Sequence, residues 1–296
     1  MLRWTTGRFA QRNLATPRLD AEVLVAHGLG LPRVQLYVQY DRPLDAAELA
    51  AIRDLVIRRQ AGESVAYLTG KKEFFGLEMA VDARVLVPRP DTETLVDEAL
   101  ARLGAGQVGA SDPPRALRVA DVGTGSGAVA IAIAKMLGKA AAKMEPGAPA
   151  RPTPEIFASD VSADALAVAR ANAERHAALI TFVAGDLDAP LRALAPFDLV
   201  TANLPYIPSA EIAGLAPEVR GEPRLALDGG ADGLALVRRL VMAAPALLVA
   251  GGALALEIGA GQADATAALL AGRGFNDIRK RRDLGEIERV VSGVKA

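Results

Sequence analysis

The sequence predicts an α/β protein, a mostly parallel sheet with helices on both faces, preceded by a small helical domain. Three observations carry this. Beyond Arg115, apolar strand-like runs alternate with helical patterns; the first such strand runs straight into a glycine-rich turn; and the stretch up to about Gln60 holds apolar residues at helical spacing. With 296 residues, 51% hydrophobic and 23% charged, the chain is long enough for one large domain or two smaller ones and is neither disordered nor fibrous in composition. Lys+Arg 34 against Asp+Glu 35 argues against wholesale non-specific nucleic-acid binding. There is no cysteine and there are two histidines, which removes disulfides, thiol catalysis and Cys/His zinc sites, so no metal is expected and a reducing, cytoplasmic setting fits. The longest apolar stretch, Leu234 to Ile258, is broken by Arg238, Arg239, Pro245, Gly251-Gly252 and Glu257, so no membrane span is expected. Arg3, Arg8, Arg12 and Arg18 lie in an acid-free start that lacks serine enrichment and reads as a first helix.

The elements follow in order. Val23, Leu24 and His27, then Leu49, Ile52, Leu55 and Val56, mark helices in a domain spanning 1–70, with Pro32 and Pro43 between them. Residues 71–91 read as a hairpin linker whose arms, Glu73 to Val81 and Arg84 to Val87, meet at Asp82-Ala83. Asp91-Thr92-Glu93-Thr94 then caps a helix through Leu95, Val96, Ala99 and Leu100, opening a second, larger domain over 92–296. Strands are expected at Leu117–Val122, Ile156–Asp160, Ile180–Ala184, Phe197–Ala202 and Ala253–Ile258. Helices are expected at Ala128–Leu137, Ala163–His176 and Leu234–Leu248. Phe275–Arg282 and Arg289–Val294 should form a hairpin adding antiparallel strands at one edge. Gly104 to Pro114 and Gly138 to Pro154, rich in Ala, Gly and Pro without periodicity, read as flexible insertions.

The strand ending near Asp121 leads into Gly123-Thr124-Gly125-Ser126-Gly127 and then a helix, at the carboxyl edge where open α/β sheets bind ligands. The G-x-G-x-G spacing differs from the G-x-G-x-x-G of dinucleotide binders, and no Gly-Lys-Ser/Thr follows, so phosphate is not the natural ligand. Asp160 ends the next strand, where a carboxylate can accept the vicinal hydroxyls of a ribose. Asp186 follows the third strand and suits an adenine amino group, with Leu187 packing on the ring. An adenosine-bearing ligand without phosphates fits these positions, and S-adenosylmethionine answers that description.

The fourth strand ends in Asn203-Leu204-Pro205-Tyr206. The asparagine oxygen and the carbonyl of residue 204 can accept both N–H bonds of a planar NH2 group while an aromatic ring covers its face. That suits methylation of an amide or exocyclic amine nitrogen.

At these residues the chain resembles the HemK/PrmC family, class I S-adenosylmethionine-dependent methyltransferases that modify the side-chain nitrogen (N5) of glutamine in the Gly-Gly-Gln motif of peptide-chain release factors. The resemblance covers nearly the whole chain: Pro17 to Glu22, Glu73 to Gly76, Pro88 to Glu93, the glycine turn, Asn203 to Tyr206, Pro217 to Arg220, Asp228 to Leu234 and Glu257 to Gly259. It implies a Rossmann-like, mostly parallel seven-stranded sheet with a C-terminal antiparallel hairpin. It also implies class 1 release factors as partners, with Asn203, Leu204, Pro205 and Tyr206 catalytic and Arg89, Pro90 and Glu93 beside the substrate. Asp121, Gly123, Thr124, Gly125, Ser126, Gly127, Asp160, Asp186, Leu187 and Asn203 would line the cofactor. The family usually has Asn-Pro-Pro-Tyr, so Leu204 is a departure, shared with ribosomal RNA adenine dimethyltransferases. The alternatives are an N6-adenine DNA or RNA methyltransferase, disfavoured by only 4% aromatic residues for stacking a flipped base, and a ribosomal-protein glutamine methyltransferase, disfavoured by Pro88 to Glu93 and the helical domain. No direct nucleic-acid contact is expected. The helical domain, with the hairpin through Phe74 and Phe75, is the expected docking region for a release factor.

Overall fold

A computed structural model of the protein describes residues 1–104, 115–142 and 152–296. Within them the chain divides into two compact units, one of Met1–Lys71 with Leu215–Gly221 and one of Lys72–Gly214 with Glu222–Ala296.

The first unit holds α1 (Leu2–Ala10), α2 (Pro17–Gly28), α3 (Gln35–Val38), α4 (Ala46–Gln60) and α5 (Val65–Thr69). Pro17 opens α2 where its missing N–H costs nothing, and Asp45 and Glu48 cap α4 reciprocally. Phe9, Ala21, Leu24, Val25, Ile52, Leu55, Val56 and Leu68 form its core. The buried face of α2 is therefore turned from the expected one: Ala21, Leu24 and Val25 point in and His27 is exposed. The small residues decide this, because a Cβ on Gly28 would lie 2.9 Å from Ile52 Cγ1 and only the face carrying Ala21 and Gly28 lets α2 and α4 approach. Buried Arg59 donates to Asp20 at 2.8 Å and to Glu218 of the returning segment at 2.6 Å.

The second unit begins with a hairpin, β1 (Lys71–Phe74) and β2 (Leu77–Ala80). Its turn is Phe75-Gly76, at φ 53° and 71°, and not Asp82-Ala83; Arg84 to Val87 is irregular chain. Two consecutive left-handed residues are what a tight hairpin turn demands, and Gly76 supplies one of them without strain. Phe74 and Met79 are fully buried in one core with Leu95, Val119 and Ile131, so the hairpin is part of this unit and Phe74 offers nothing to a partner. The Asn172 side chain exchanges hydrogen bonds with Ala80 N and O at 2.7 and 3.0 Å, and Glu93 accepts from Phe75 N at 2.8 Å.

A short turn at Pro90–Thr92 leads into α6 (Glu93–Gly104). Then come β3 (Arg118–Val122), α7 (Ala128–Ala142), β4 (Glu155–Asp160), α8 (Ala163–Arg175), β5 (Ile180–Ala184) and β6 (Phe197–Asn203). After α9 (Pro217–Arg220), which lies in the first unit, follow α10 (Ala235–Leu247), β7 (Leu248–Glu257), α11 (Ala263–Gly272), β8 (Phe275–Arg282) and β9 (Glu288–Lys295). The seven-stranded sheet runs β5-β4-β3-β6-β7-β9-β8, with β9 and β8 antiparallel at one edge as expected.

Central strands are apolar on both sides, Leu199 packing in one core and Val200 in the other, because helices cover both faces. The expected flexible insertions fall outside the described residues at 105–114 and 143–151, whereas Gly104 closes α6 and Gly138 to Ala142 continue α7. Two further differences concern the C-terminal half. α11 was not expected at all, and β7 starts at Leu248, ahead of a bulge at Gly251-Gly252 where a Cβ on Gly252 would meet Val249 O at 3.0 Å.

Candidate active site

The chain order places the sheet's switch point between β3 and β6, since β4 and β5 extend to one side of β3 before β6 returns on the other. The glycine turn sits there. Gly123, Gly125 and Gly127 all have left-handed φ, 71°, 56° and 82°, which fixes the turn's course. Gly123 N and Thr124 N both donate to Ser159 O, at 2.8 and 2.9 Å, seating the turn on the end of β4. A Cβ on Gly125 would meet nothing within 4 Å, so this backbone faces open space; one on Gly127 would press on Ile131 and Ala169 at 3.1 and 3.2 Å. Gly127 is thus needed for the packing of α7 on α8.

A cleft of about 310 Å3 opens at this point. Asp121, Gly123, Thr124, Gly125 and Ser126 line it from β3 and the turn, Asp160 from β4, and Asp186 and Leu187 from beyond β5. Asn203, Leu204 and Pro205 contribute from the end of β6, and Arg89 from ahead of α6. Gly127, Pro90, Glu93 and Tyr206 do not line it; the Glu93 carboxylate is engaged by the hairpin turn instead.

The carboxylates differ in state. Asp121 is buried, and burial pushes it up to about 6 against the hydroxyls of Thr124 and Thr201, which pull it down. Asp160 accepts Gly125 N and Ser162 N, each at 2.9 Å, so it is aimed into the cleft by backbone donors. Asp186 pairs with Arg239 at 2.5 Å near the surface. The arginines of the wall are all paired, Arg84 with Asp82, Arg89 with Glu222 and Arg239 with Asp186. A cleft with apolar walls, an oriented carboxylate and no unpaired cation among the described residues suits a nucleoside better than a polyphosphate.

The segment that follows Asn203 is built by its neighbours. Ile207 N donates to Leu227 O at 3.1 Å, Gly229 N to Ile207 O at 2.9 Å and Ser209 N to Gly230 O at 2.9 Å. A Cβ on Gly233 would fall 2.1 Å from Tyr206 O, and one on Gly229 2.7 Å from Pro205 O, so Asp228 to Leu234 is a glycine clamp laid directly on this loop. Gln262 Nε2 donates to Tyr206 O at 3.0 Å. Leu204 is buried, its Cδ2 3.1 Å from where Gly123 would carry a Cβ. Burial, then the Glu257 charge, push the Tyr206 hydroxyl up to about 12, so it stays neutral.

Two residues near Asn203 escaped the sequence reading. Thr92, taken as part of a helix cap, accepts Asn203 Nδ2 at 3.1 Å, and the adjacent strand partner Glu257 is buried, pushed up to about 7 first by desolvation. Val161 and Leu225 also line the cleft as exposed apolar side chains, and that exposure is the signal that sequence does not carry.

Residues 1–70 match the family model described as the PrmC N-terminal domain, and residues 119–221 match a methyltransferase domain. The release factor glutamine methyltransferase of Geobacter sulfurreducens is 43% identical over 294 residues, covering 99% of this chain and 95% of that protein. That of Chlorobaculum tepidum is 42% identical, again covering 99% of this chain and 95% of its own. Among solved structures, the release factor-specific protein-(glutamine-N5) methyltransferase of Alicyclobacillus acidocaldarius is 30% identical, covering 71% of this chain and 94% of that one with a TM-score of 0.39. With near-full-length identity at this level and the N-terminal domain in place, the chain belongs to the release factor glutamine methyltransferase family.

Proposed function

We propose that the protein transfers a methyl group from S-adenosylmethionine to the N5 side-chain nitrogen of the glutamine in the Gly-Gly-Gln motif of class 1 release factors, acting in the cytoplasm. The observation that carries this is the meeting of Asn203 to Pro205 with the glycine turn and Asp160 around one cleft. When bound, S-adenosylmethionine supplies an electrophilic methyl on a sulfonium.

Asp160 would hold the ribose hydroxyls, Asp186 and Leu187 the adenine, and the open backbone at Gly125 the amino-acid end. Asn203 Oδ1 and the Leu204 carbonyl accept the two N–H bonds of the glutamine amide, fixing its nitrogen for in-line attack and drawing its lone pair out of resonance. The glutamine nitrogen so held would take up that methyl and release one proton to solvent. Tyr206 supports the loop as a neutral phenol. The helical unit is the surface left for docking the body of the release factor, since Phe74 of the hairpin is buried.

The test is mass spectrometry of intact release factor after incubation with enzyme and cofactor. One added methyl on that glutamine is expected, abolished or slowed by about 10²-fold in Asn203→Ala, which loses an orienting contact made in the transition state. Transfer to adenine in RNA or DNA, with none to the factor, would replace this reading.

A further inference from the structure

An asparagine amide has a donor end and an acceptor end, and rotation by half a turn exchanges them. If Asn203 is to accept from a substrate NH2, something must hold its own NH2 away from the cleft, because two NH2 groups facing each other repel. Asn203 Nδ2 donates to Thr92 Oγ1 at 3.1 Å. Thr92, 4% exposed, has one hydroxyl proton, and the group placed to receive it is the carboxylate of Glu257, which is 1% exposed, paired in register with Asn203 across β6 and β7 and pulled down in pKa, against its burial, by the Thr92 and Asn203 side chains. As a carboxylate Glu257 only accepts, which orders the chain of polarity: Thr92 donates to it and accepts with its lone pair, and Asn203 presents N–H to Thr92. Oδ1 is left for the cleft.

The geometry points to Thr92 and Glu257 as positioning residues that set the rotamer of the Asn203 amide, so that its oxygen and not its nitrogen meets the acceptor NH2. This rests on the reading of the cleft as a site of amide methylation, and it adds the reason why an unremarkable threonine ahead of α6 and a buried acid at the end of β7 stand where they do. Among the described residues Glu257 Oε2 has no hydrogen-bond partner, so the burial of that oxygen is left uncompensated.

The test pairs a readout of the side chain itself with one of turnover, both on the full chain. In 15N-labelled protein the Asn203 NH2 signals, identified by their loss in Asn203→Ala, should be protected from exchange with water; Thr92→Val should bring them to the rate of an exposed asparagine, and Thr92→Ser should restore protection. In kinetics with release factor, Thr92→Val should lower kcat by about tenfold or more. KM should change less than kcat, and S-adenosylmethionine affinity by calorimetry should stay within about twofold. The double variant Thr92→Val/Asn203→Ala should be no slower than Asn203→Ala alone, since the hydroxyl acts only through that amide. Glu257→Leu should lose rate as Thr92→Val does, and the Thr92 variants decide the matter if that chain does not fold.

Unchanged exchange of the Asn203 NH2 in Thr92→Val, or losses that multiply in the double variant, overturn the inference. Protected Asn203 signals in an enzyme that leaves release factors unmethylated would instead overturn the functional reading and leave the positioning role standing.

Discussion

Asp121 and Thr201 are register partners on β3 and β6, and the threonine hydroxyl donates to the aspartate at 2.8 Å. The other carboxylate oxygen takes Thr124 Oγ1 at 2.7 Å. One buried acid therefore joins the strand that ends in Asn203 to the turn that lines the cleft, at the point where the strand order reverses. Its task is to fix the distance between two halves of the site.

Burial gives that acid a measurable pH signature. Because the folded state raises Asp121 from 3.8 to about 6, it holds a proton more tightly than the unfolded chain does. Its contribution to stability is fully present below pH 4 and is lost as pH rises through 6. Urea unfolding at pH 4 and pH 7.5 should show the parent losing about 1–3 kcal/mol relative to Asp121→Asn over that interval. Parallel behaviour of the two proteins would mean that the acid is ionised throughout.

Asp160→Ala removes the acceptor for Gly125 N and Ser162 N as well as the proposed ribose partner. Cofactor affinity by calorimetry should fall by roughly ten- to a hundred-fold, the usual loss for a charge-assisted hydrogen bond. Asp160→Asn, which keeps one acceptor oxygen, should lose less. Equal affinity in parent and alanine variant would remove Asp160 from the ribose site.

Leu204→Pro restores the pattern usual in the family. The carbonyl of residue 204 is present in both, so turnover should stay within about tenfold. The contact with the glycine turn is lost, however, and a buried leucine traded for a smaller ring should cost about 1–3 kcal/mol in chemical denaturation. A variant active where the parent is inert would show that Leu204 had disabled the site.

The parts legible in sequence are those where one period dominates. β6 sets Phe197, Leu199, Val200 and Ala202 within six residues because both faces are covered, and its expected limits match to within one residue. The glycine turn declared itself by its spacing. What sequence hid was set by tertiary proximity: the hairpin turned at Phe75-Gly76 because an aromatic in a turn looks like strand, and α11 passed unread because its buried residues, Ala263, Thr266 and Leu270, are small or few. Thr92 could be read only as a cap, since nothing near it in sequence announces Asn203, 111 positions away.

The segment Leu215–Gly221 packs with the helices of residues 1–71, where Glu218 meets Arg59 and a Cβ on Gly62 would come within 2.7 Å of Pro217. A nascent chain therefore cannot finish its first unit when the first unit's own residues have emerged. Arg59, already committed to Asp20, must wait for Glu218 through the synthesis of most of the sheet. Folding of the N-terminal part is thus completed only after the loop beyond Asn203 has been made, and an N-terminal fragment ending near Lys71 should be less stable than the same helices in the whole protein.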